Sequence, residues 1–323
     1  MKALRGMVML VAMCLALSTC TTLAKSAGKY EAWDDSCGTI ERNVAYDSGK
    51  RNDYDLYLPA GKARNGIIVC IHGGSWMGGS KDDLDYVCKR YCKAGYVAAS
   101  IDYSVIAFLG HNDVTLPQMD AEIHAAIGHI RQRLEARGVH INNMALWGYS
   151  AGSQLAMAYA MKHRSDAPYP VRFVVDQVGP SDLTAMFPAN EEKLRNIERR
   201  LAAGEDLANN GDKKDVDNLV FRASGARMKA GMYNRATVEK LIGSSSPAQL
   251  VKRGDAPTIM TYGEKDIIVK PAVRKAVVDA FEKQHVPYTL ILFPNSGHDL
   301  ASDPDCTAKL RATVDDYLKQ YFQ

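Results

Sequence analysis

No part of the sequence argues for a membrane-spanning helix: the apolar core near the start, Met7 to Leu17, is too short, since a span needs roughly twenty apolar residues. A charge excess is missing too. Lys and Arg number 40 against 37 Asp and Glu, for a formal net charge of +3, and loss of Lys2 and Arg5 with an N-terminal leader brings this to 3 − 2 = +1. Such a balance carries no footprint of nucleic-acid binding. No C-x-x-C pair and no histidine cluster along the sequence argues for a metal site. The phosphate-loop pattern G-x-x-x-x-G-K-S/T is absent, so the glycines from Gly73 to Gly79 are not read as a phosphate cradle. At 323 residues, 46% hydrophobic and 24% charged, the chain is neither disordered nor fibrous, and it can bury one large core or two modest ones.

What is present begins with an export signal over residues 1–24. Lys2 and Arg5 give a basic start, Met7 to Leu17 an apolar core, and small or polar residues follow. Two processing outcomes stay open. Leu17-Ser18-Thr19-Cys20 is similar to a bacterial lipobox, which would lipidate Cys20 and attach the protein to a membrane, although Thr19 departs from the usual Gly, Ala or Ser. Thr22-Leu23-Ala24 offers a small-x-small cleavage site instead. Lipidation is slightly favoured, and both outcomes place the protein beyond the inner membrane, periplasmic or lipid-anchored. Cys14 and Cys20 then drop out of the seven cysteines, leaving Cys37, Cys70, Cys88, Cys92 and Cys306, an odd number with at least one free thiol. An oxidising compartment would permit a Cys37–Cys306 disulfide, which the sequence does not decide.

From residue 37 to 323 the pattern reads as one domain. Apolar runs at 40–46, 54–58, 67–71, 96–101, 144–147, 172–177, 258–262 and 288–293 have strand character. Stretches with helical spacing at 82–93, 117–137, 150–163, 271–284 and 310–321 alternate with them. This alternation predicts an α/β fold with a mainly parallel sheet covered by helices on both faces. Between about residues 183 and 246 the texture changes to charged and small residues with apolar positions at helical spacing. That segment is expected to be a helical cap inserted between two strands, over the edge where loops carry function.

Gly148-Tyr149-Ser150-Ala151-Gly152 falls between the strand ending at Trp147 and the helix that follows. A G-x-S-x-G pentapeptide at such a corner exposes a serine, and its glycines leave room for a strained, crowded turn. A serine hydroxyl is a weak nucleophile near neutral pH and needs an imidazole base oriented by a carboxylate. Of eight histidines, His124 and His129 fall within a long helix, His140, His163 and His285 near helix ends or turns, and His111 in a loop. His298, in Asn295-Ser296-Gly297-His298-Asp299 directly after a strand, fits the base. Asp266, in Gly263-Glu264-Lys265-Asp266 after another strand, fits the acid, with Glu264 and the awkwardly adjacent Asp299 as alternatives. After the strand at 67–71 comes His72-Gly73-Gly74-Ser75-Trp76, whose Gly73 or Gly74 amides, together with that of Ala151, would hold an oxyanion.

Taken in order, His72-Gly-Gly-Ser-Trp76, Asp102-Tyr103, Gly148-Tyr-Ser-Ala-Gly152, Gly263-Glu-Lys-Asp266 and Ser296-Gly-His298 resemble the α/β-hydrolase superfamily, in its H-G-G-loop carboxylesterase and lipase branch. The resemblance covers nearly the whole chain from residue 37. It implies Ser150 as nucleophile, His298 as general base and acid, Asp266 as its orienting carboxylate, Gly73, Gly74 and Ala151 as oxyanion donors, and His72 as a brace for the loop. Ser75 stands where hormone-sensitive-lipase-like members have a third glycine, so the chain looks more like bacterial feruloyl or acetyl esterases. The expected activity is hydrolysis of short or medium acyl esters, including those of carbohydrates, with neither metal nor organic cofactor. Trp76, Tyr103 and Tyr149 are expected at the substrate, with Met186 and Phe187 as further wall candidates. An amide hydrolase of arylformamidase or exopeptidase type is the enzymatic alternative, though no propeller precedes the domain. A binding lipoprotein built on an inactive hydrolase fold is the non-enzymatic one.

Overall fold

The computed structural model describes residues 33–107 and 112–323; the export segment with Cys20 and Ala24, and the loop residue His111, lie outside the described residues. Eight strands form one sheet: β1 (Gly38–Ala45), β2 (Asp53–Pro59), β3 (Ile67–Ile71), β4 (Val97–Ile101), β5 (Met144–Tyr149), β6 (Val171–Gln177), β7 (Thr258–Gly263) and β8 (Tyr288–Phe293). Their order is β1-β2-β4-β3-β5-β6-β7-β8. The β1–β2 and β2–β4 pairs are antiparallel, and every later pair is parallel.

The two faces of this sheet carry separate cores. In β3, Ile67, Val69 and Ile71 belong to one, and Ile68 and Cys70 to the other; in β5 the same split puts Met144 and Leu146 opposite Ala145 and Trp147. Side chains alternate across a strand, so central strands with helices on both faces must be apolar at every position, as β3 is. The edge strand β1 is instead mostly half-buried or exposed, with a register irregularity between Glu41 and Val44.

Helix α1 (Asp85–Lys93), led in by a 3-10 turn at Lys81–Leu84, and α10 (Pro304–Tyr321) cover one face. On the other lie α2 (Leu116–Glu135), α3 (Ala151–Lys162) and α9 (Pro271–Gln284). Helix α3 is buried on all sides from Ala151 to Met161, which explains its run of small residues. The last helix starts six residues before its expected beginning at Leu310, because Pro304 occupies a first-turn position where its missing N–H costs nothing.

The regular elements of the insertion between β6 and β7 are all helices: α4 (Leu183–Met186), α5 (Glu191–Ala202), α6 (Gly211–Ser224), α7 (Arg235–Gly243) and α8 (Pro247–Leu250). Asn190, Asn210 and Asn234 open α5, α6 and α7, each side chain accepting from the amide three residues on. Each of these helices buries a narrow apolar stripe, Leu194 with Ile197, Val220 with Ala223, and Val238 with Ile242. The charged remainder faces out. The insertion is fastened to the body where Arg222 Nη1 donates to the Val114 carbonyl at 2.7 Å and Gln154 Nε2 to the Ser245 carbonyl at 2.6 Å.

The permitted Cys37–Cys306 disulfide is not formed. Cys306 Sγ instead donates to the Leu292 carbonyl, and Cys37 Sγ faces Asp34. Cys70, Cys88 and Cys92 are buried thiols, with burial pushing Cys92 up to about 12. Among the described residues no helix is long and apolar enough to cross a membrane.

Candidate active site

The carboxyl ends of β3, β4, β5, β7 and β8 bring His72, Asp102, Ser150, Asp266 and His298 to one edge of the sheet, the edge at which open α/β sheets place their ligands. Ser150 occupies the corner between β5 and α3 with φ 52° and ψ −120°, a left-handed backbone that a non-glycine residue holds at a cost of roughly 1–3 kcal/mol. The surroundings impose that conformation. The Ser150 amide donates to the Gln177 carbonyl at 2.8 Å. A Cβ on Gly152 would sit 2.0 Å from the Ile71 carbonyl oxygen and 2.4 Å from that of His72, so only glycine lets α3 pass this close to the end of β3.

His298 Nε2 lies 2.9 Å from Ser150 Oγ, and His298 Nδ1 lies 2.8 Å from Asp266 Oδ2. A carboxylate only accepts, so the ring proton sits on Nδ1 and Nε2 is left to accept from the serine hydroxyl. The other oxygen of Asp266 takes the amides of Ile268 and Val269 at 2.8 and 3.0 Å, which fixes the carboxylate plane. Ser150, Asp266 and His298 are all buried. Behind them, Asp303 accepts from the Asn295 amide at 3.0 Å and from Ser296 Oγ at 2.6 Å, clamping the loop that carries His298. The Tyr149 hydroxyl donates to the His298 carbonyl at 2.7 Å. The alternative acids are elsewhere engaged: Glu264 pairs with Arg274, and Asp299 accepts from the Ala301 amide.

Facing the serine is the loop after β3. A Cβ on Gly73 would meet the Tyr149 carbonyl oxygen at 2.7 Å and Ser150 Cβ at 3.2 Å, and Gly74 has φ +109°, so neither position accepts a side chain without strain. Ser75 and Trp76 continue at φ 53° and 59°. Among the described residues, the amides of Gly73 and Gly74 on this loop, and of Ala151 next to Ser150, donate to no protein acceptor. A preorganised set of that kind can hold negative charge developing on a carbonyl oxygen under attack.

A buried network sets the loop. His72 Nδ1 donates to the Gly73 carbonyl at 2.7 Å, and Asp102 Oδ1 lies 3.3 Å from His72 Nε2, 3.1 Å from Arg51 Nη2 and 2.9 Å from the Lys81 amide that donates to it. Burial pushes the Asp102 carboxyl up, but the His72 contact and the charge of Arg51 carry it net below the ordinary carboxylate range. Arg51 Nη2 also donates to the Gly79 carbonyl at 2.7 Å, closing the loop's far end.

Tyr103 requires a correction. Its ring is fully buried, stacked on His72 at 4.2 Å, with its hydroxyl donating to the His72 carbonyl at 2.7 Å. With no surface open to a ligand, it braces the loop rather than touching substrate. Trp76 is also spent largely on structure: its Nε1 donates to Gln154 Oε1 at 2.9 Å, and Gln154 reaches on to the insertion at Ser245. Tyr149 is half-buried beside His298. Sequence reasoning missed Arg51, Lys81, Gln154 and Asp303, since an isolated charged or amide residue distant in sequence gives no periodic signal. It also missed Asp176, a fully buried carboxylate at the end of β6.

Asp176 Oδ1 accepts from the Gly179 amide at 2.9 Å and Oδ2 from the Tyr262 hydroxyl at 2.7 Å. Burial outweighs these bonds and lifts its carboxyl from the ordinary 3.8 to about 6. A proton retained in the fold to a higher pH than in the unfolded chain stabilises the fold fully below about pH 4, and that contribution is lost as pH rises through about 6. Over some two pH units the loss is roughly 3 kcal/mol. Asn at this position keeps an oxygen for Gly179 and offers its amide to the Tyr262 oxygen, whose own proton goes to the Gly179 carbonyl at 3.1 Å. D176N is therefore expected to flatten stability between pH 4 and 6 and to match or exceed the parent at pH 7. Denaturant melts across that range measure it, and an undiminished pH slope would assign the effect to another group.

Residues 54–280 match the family model described as BD-FAE. The kynurenine formamidase of Salmo salar is 28% identical over 115 residues, covering 35% of this chain and 36% of that protein. The chain thus spans about a third of the length of that curated relative. Among solved structures, esterase B of Lactobacillus rhamnosis superposes with a TM-score of 0.67 at 19% identity, covering 97% of both chains. A carbohydrate esterase from gut microbiota superposes with a TM-score of 0.65 at 18% identity, covering 90% of this chain and 99% of that one. At such identities the likeness is one of fold, and the eight-stranded, mostly parallel sheet is that fold. The family model matches well over half of the chain, which therefore belongs to the BD-FAE family.

Proposed function

We propose that the protein is a serine carboxyl ester hydrolase working through an acyl-enzyme, with Ser150 as nucleophile, His298 as general base and then acid, and Asp266 as the group that orients and steadies the imidazole. The observation that carries this reading is the unbroken hydrogen-bonded line from Ser150 Oγ through His298 to Asp266 Oδ2, at 2.9 and 2.8 Å. As Oγ attacks the ester carbonyl its proton passes to His298 Nε2, and the carbonyl oxygen becomes an oxyanion held by amides of Gly73, Gly74 and Ala151. His298 returns the proton to the departing alcohol, and water repeats the sequence on the acyl-serine. A fluorophosphonate probe followed by peptide mass mapping tests the assignment. One covalent adduct on Ser150 is expected, and an unlabelled or differently labelled chain overturns it.

The substrate class within this reading is a short or medium acyl ester, with acetyl and feruloyl groups on carbohydrates as the first candidates. Parallel assays on acetylated and feruloylated sugars and on p-nitrophenyl acetate rank them. N-formylkynurenine belongs in the same panel because of the formamidase relative. Export, with Cys20 lipidated, is part of the proposal and rests on the basic-apolar-small order of the leader. C20A is expected to release the protein from the membrane fraction.

Asp102 is a positioning residue in this scheme, acting through His72 and Arg51 on the oxyanion loop. D102A is expected to lower kcat about tenfold to a hundredfold with little change in KM, since small displacement of transition-state donors is costly and ground-state binding does not need them. Fluorophosphonate labelling of Ser150 should slow in parallel, because the probe's phosphoryl oxygen needs the same amides. A change confined to KM would place the network at the substrate instead.

A further inference from the structure

At the far end of α3 from Ser150, His124, His163 and Asp166 each present a ligand atom within 4.8 Å of the others. Separated by 39 residues and lying on different elements, the two histidines form no pattern readable along the sequence. Their outer partners are those of metal-binding imidazoles. His163 lies with Nε2 3.1 Å from Asp120 Oδ2, so Asp120 accepts that N–H and leaves Nδ1 turned to Asp166 Oδ1, also at 3.1 Å. His124 Nδ1 lies 3.2 Å from the Tyr159 hydroxyl, and in the tautomer with Nδ1–H donating to that oxygen its Nε2 is the nitrogen open to a cation. A histidine whose second nitrogen is fixed by a carboxylate or hydroxyl is held in the tautomer and orientation that a cation needs.

We propose that His124, His163 Nδ1 and the Asp166 carboxylate form a binding site for a zinc-class divalent cation, with Asp120 and Tyr159 as its outer partners and water at the fourth position. A tetrahedral ion with bonds of about 2.0–2.1 Å wants its ligand atoms about 3.3 Å apart. The 3.1 Å separation of His163 Nδ1 and Asp166 Oδ1 already meets this, and the exposed Asp166 side chain has the freedom to close the rest. In the ion-free state Lys162, at 4.0 Å from Asp120, and the His163 imidazolium balance the two carboxylates, and a cation binding at Nδ1 replaces the charge of the proton it displaces. Two imidazoles and a carboxylate suit zinc ahead of calcium or magnesium, which take oxygen. Without the ion, a proton on Nδ1 shared with Asp166 fills its place, and binding releases that proton.

The site lies at the C-terminal end of a helix of 12 residues, so some 18 Å of helix separates it from the serine. Its ligands come from the middle of α2 and from the end of α3 with the turn beyond it. The ion would therefore clamp the helix that begins at Ser150 to its neighbour and take no part in the chemistry.

The test is equilibrium dialysis of the EDTA-treated full chain against zinc chloride, with thermal melts alongside. One zinc per chain is expected, and a melting temperature raised by about 5 °C at a hundredfold excess over Kd. H124A and, at the exposed position, D166N are each expected to weaken binding at least about tenfold. Both should keep full ester hydrolysis, and D166N the melting temperature of the zinc-free parent as well. Because D166N alters an exposed side chain, it keeps the test open if H124A fails to fold. No bound zinc in the parent, or equal binding in a folded variant, overturns the proposal.

Discussion

Replacing Ser150 with alanine removes ester hydrolysis while leaving the fold in place; a fall in kcat of about 10⁴ to 10⁶ is expected, with a residue of activity from substrate binding and the oxyanion amides. The fold survives because what holds residue 150 in its strained conformation is backbone, namely the amide bonded to the Gln177 carbonyl and the close passage of Gly152 under the end of β3. Alanine keeps the same Cβ and the same φ of 52°, so no strain is added or relieved. Only the hydroxyl's hydrogen bond to His298 Nε2 is lost, which costs about 1 kcal/mol of stability. The measurements are the rate on p-nitrophenyl acetate and the thermal melt, taken together. A folded S150A that still turns over would separate the activity from this serine.

Most of this architecture is legible in the chain, and physical reasons separate what is from what is not. Buried central strands such as Ile67–Ile71 need an apolar residue at every position, so their ends can be read to the residue. Helix α9 was bounded correctly because Pro271 can only sit in a first turn. The residues at the site were readable because each needs a particular local chemistry, a glycine where a Cβ would strike backbone or a histidine in a turn after a strand. Tyr103 was misassigned because sequence order places a residue at the correct edge of the sheet without giving the direction of its side chain. Asp102, Arg51 and Lys81 share one network although they come from three separate segments, and nothing in the spacing of three charges predicts that they meet. Long-range pairing also concealed His124 and His163. In sequence each is one histidine on a helix, and only the packing of α2 against α3 makes them neighbours.

The same distinction between local and long-range information governs the effect of Asp266→Asn. Both side chains have one shape, so stability should change little, yet kcat is expected to fall by about 10⁴. The reason lies in the backbone amides of Ile268 and Val269, which both donate to Asp266 Oδ1. They compel the asparagine to place its oxygen there, since an NH₂ facing two N–H groups would leave three donors and no acceptor. The amide nitrogen of the asparagine then takes the place of Oδ2 and donates to His298 Nδ1, so the ring proton must move to Nε2. In that tautomer His298 has no lone pair for the Ser150 proton and the nucleophile is not activated. The defect concerns proton placement, so rising pH should restore part of the rate as hydroxide takes over the role of base, whereas a merely misplaced imidazole would be low at every pH. Rates of D266N between pH 7 and 10, set against D266A, distinguish the two. In D266A the two amides are left without their acceptor, and loss of stability should accompany loss of rate.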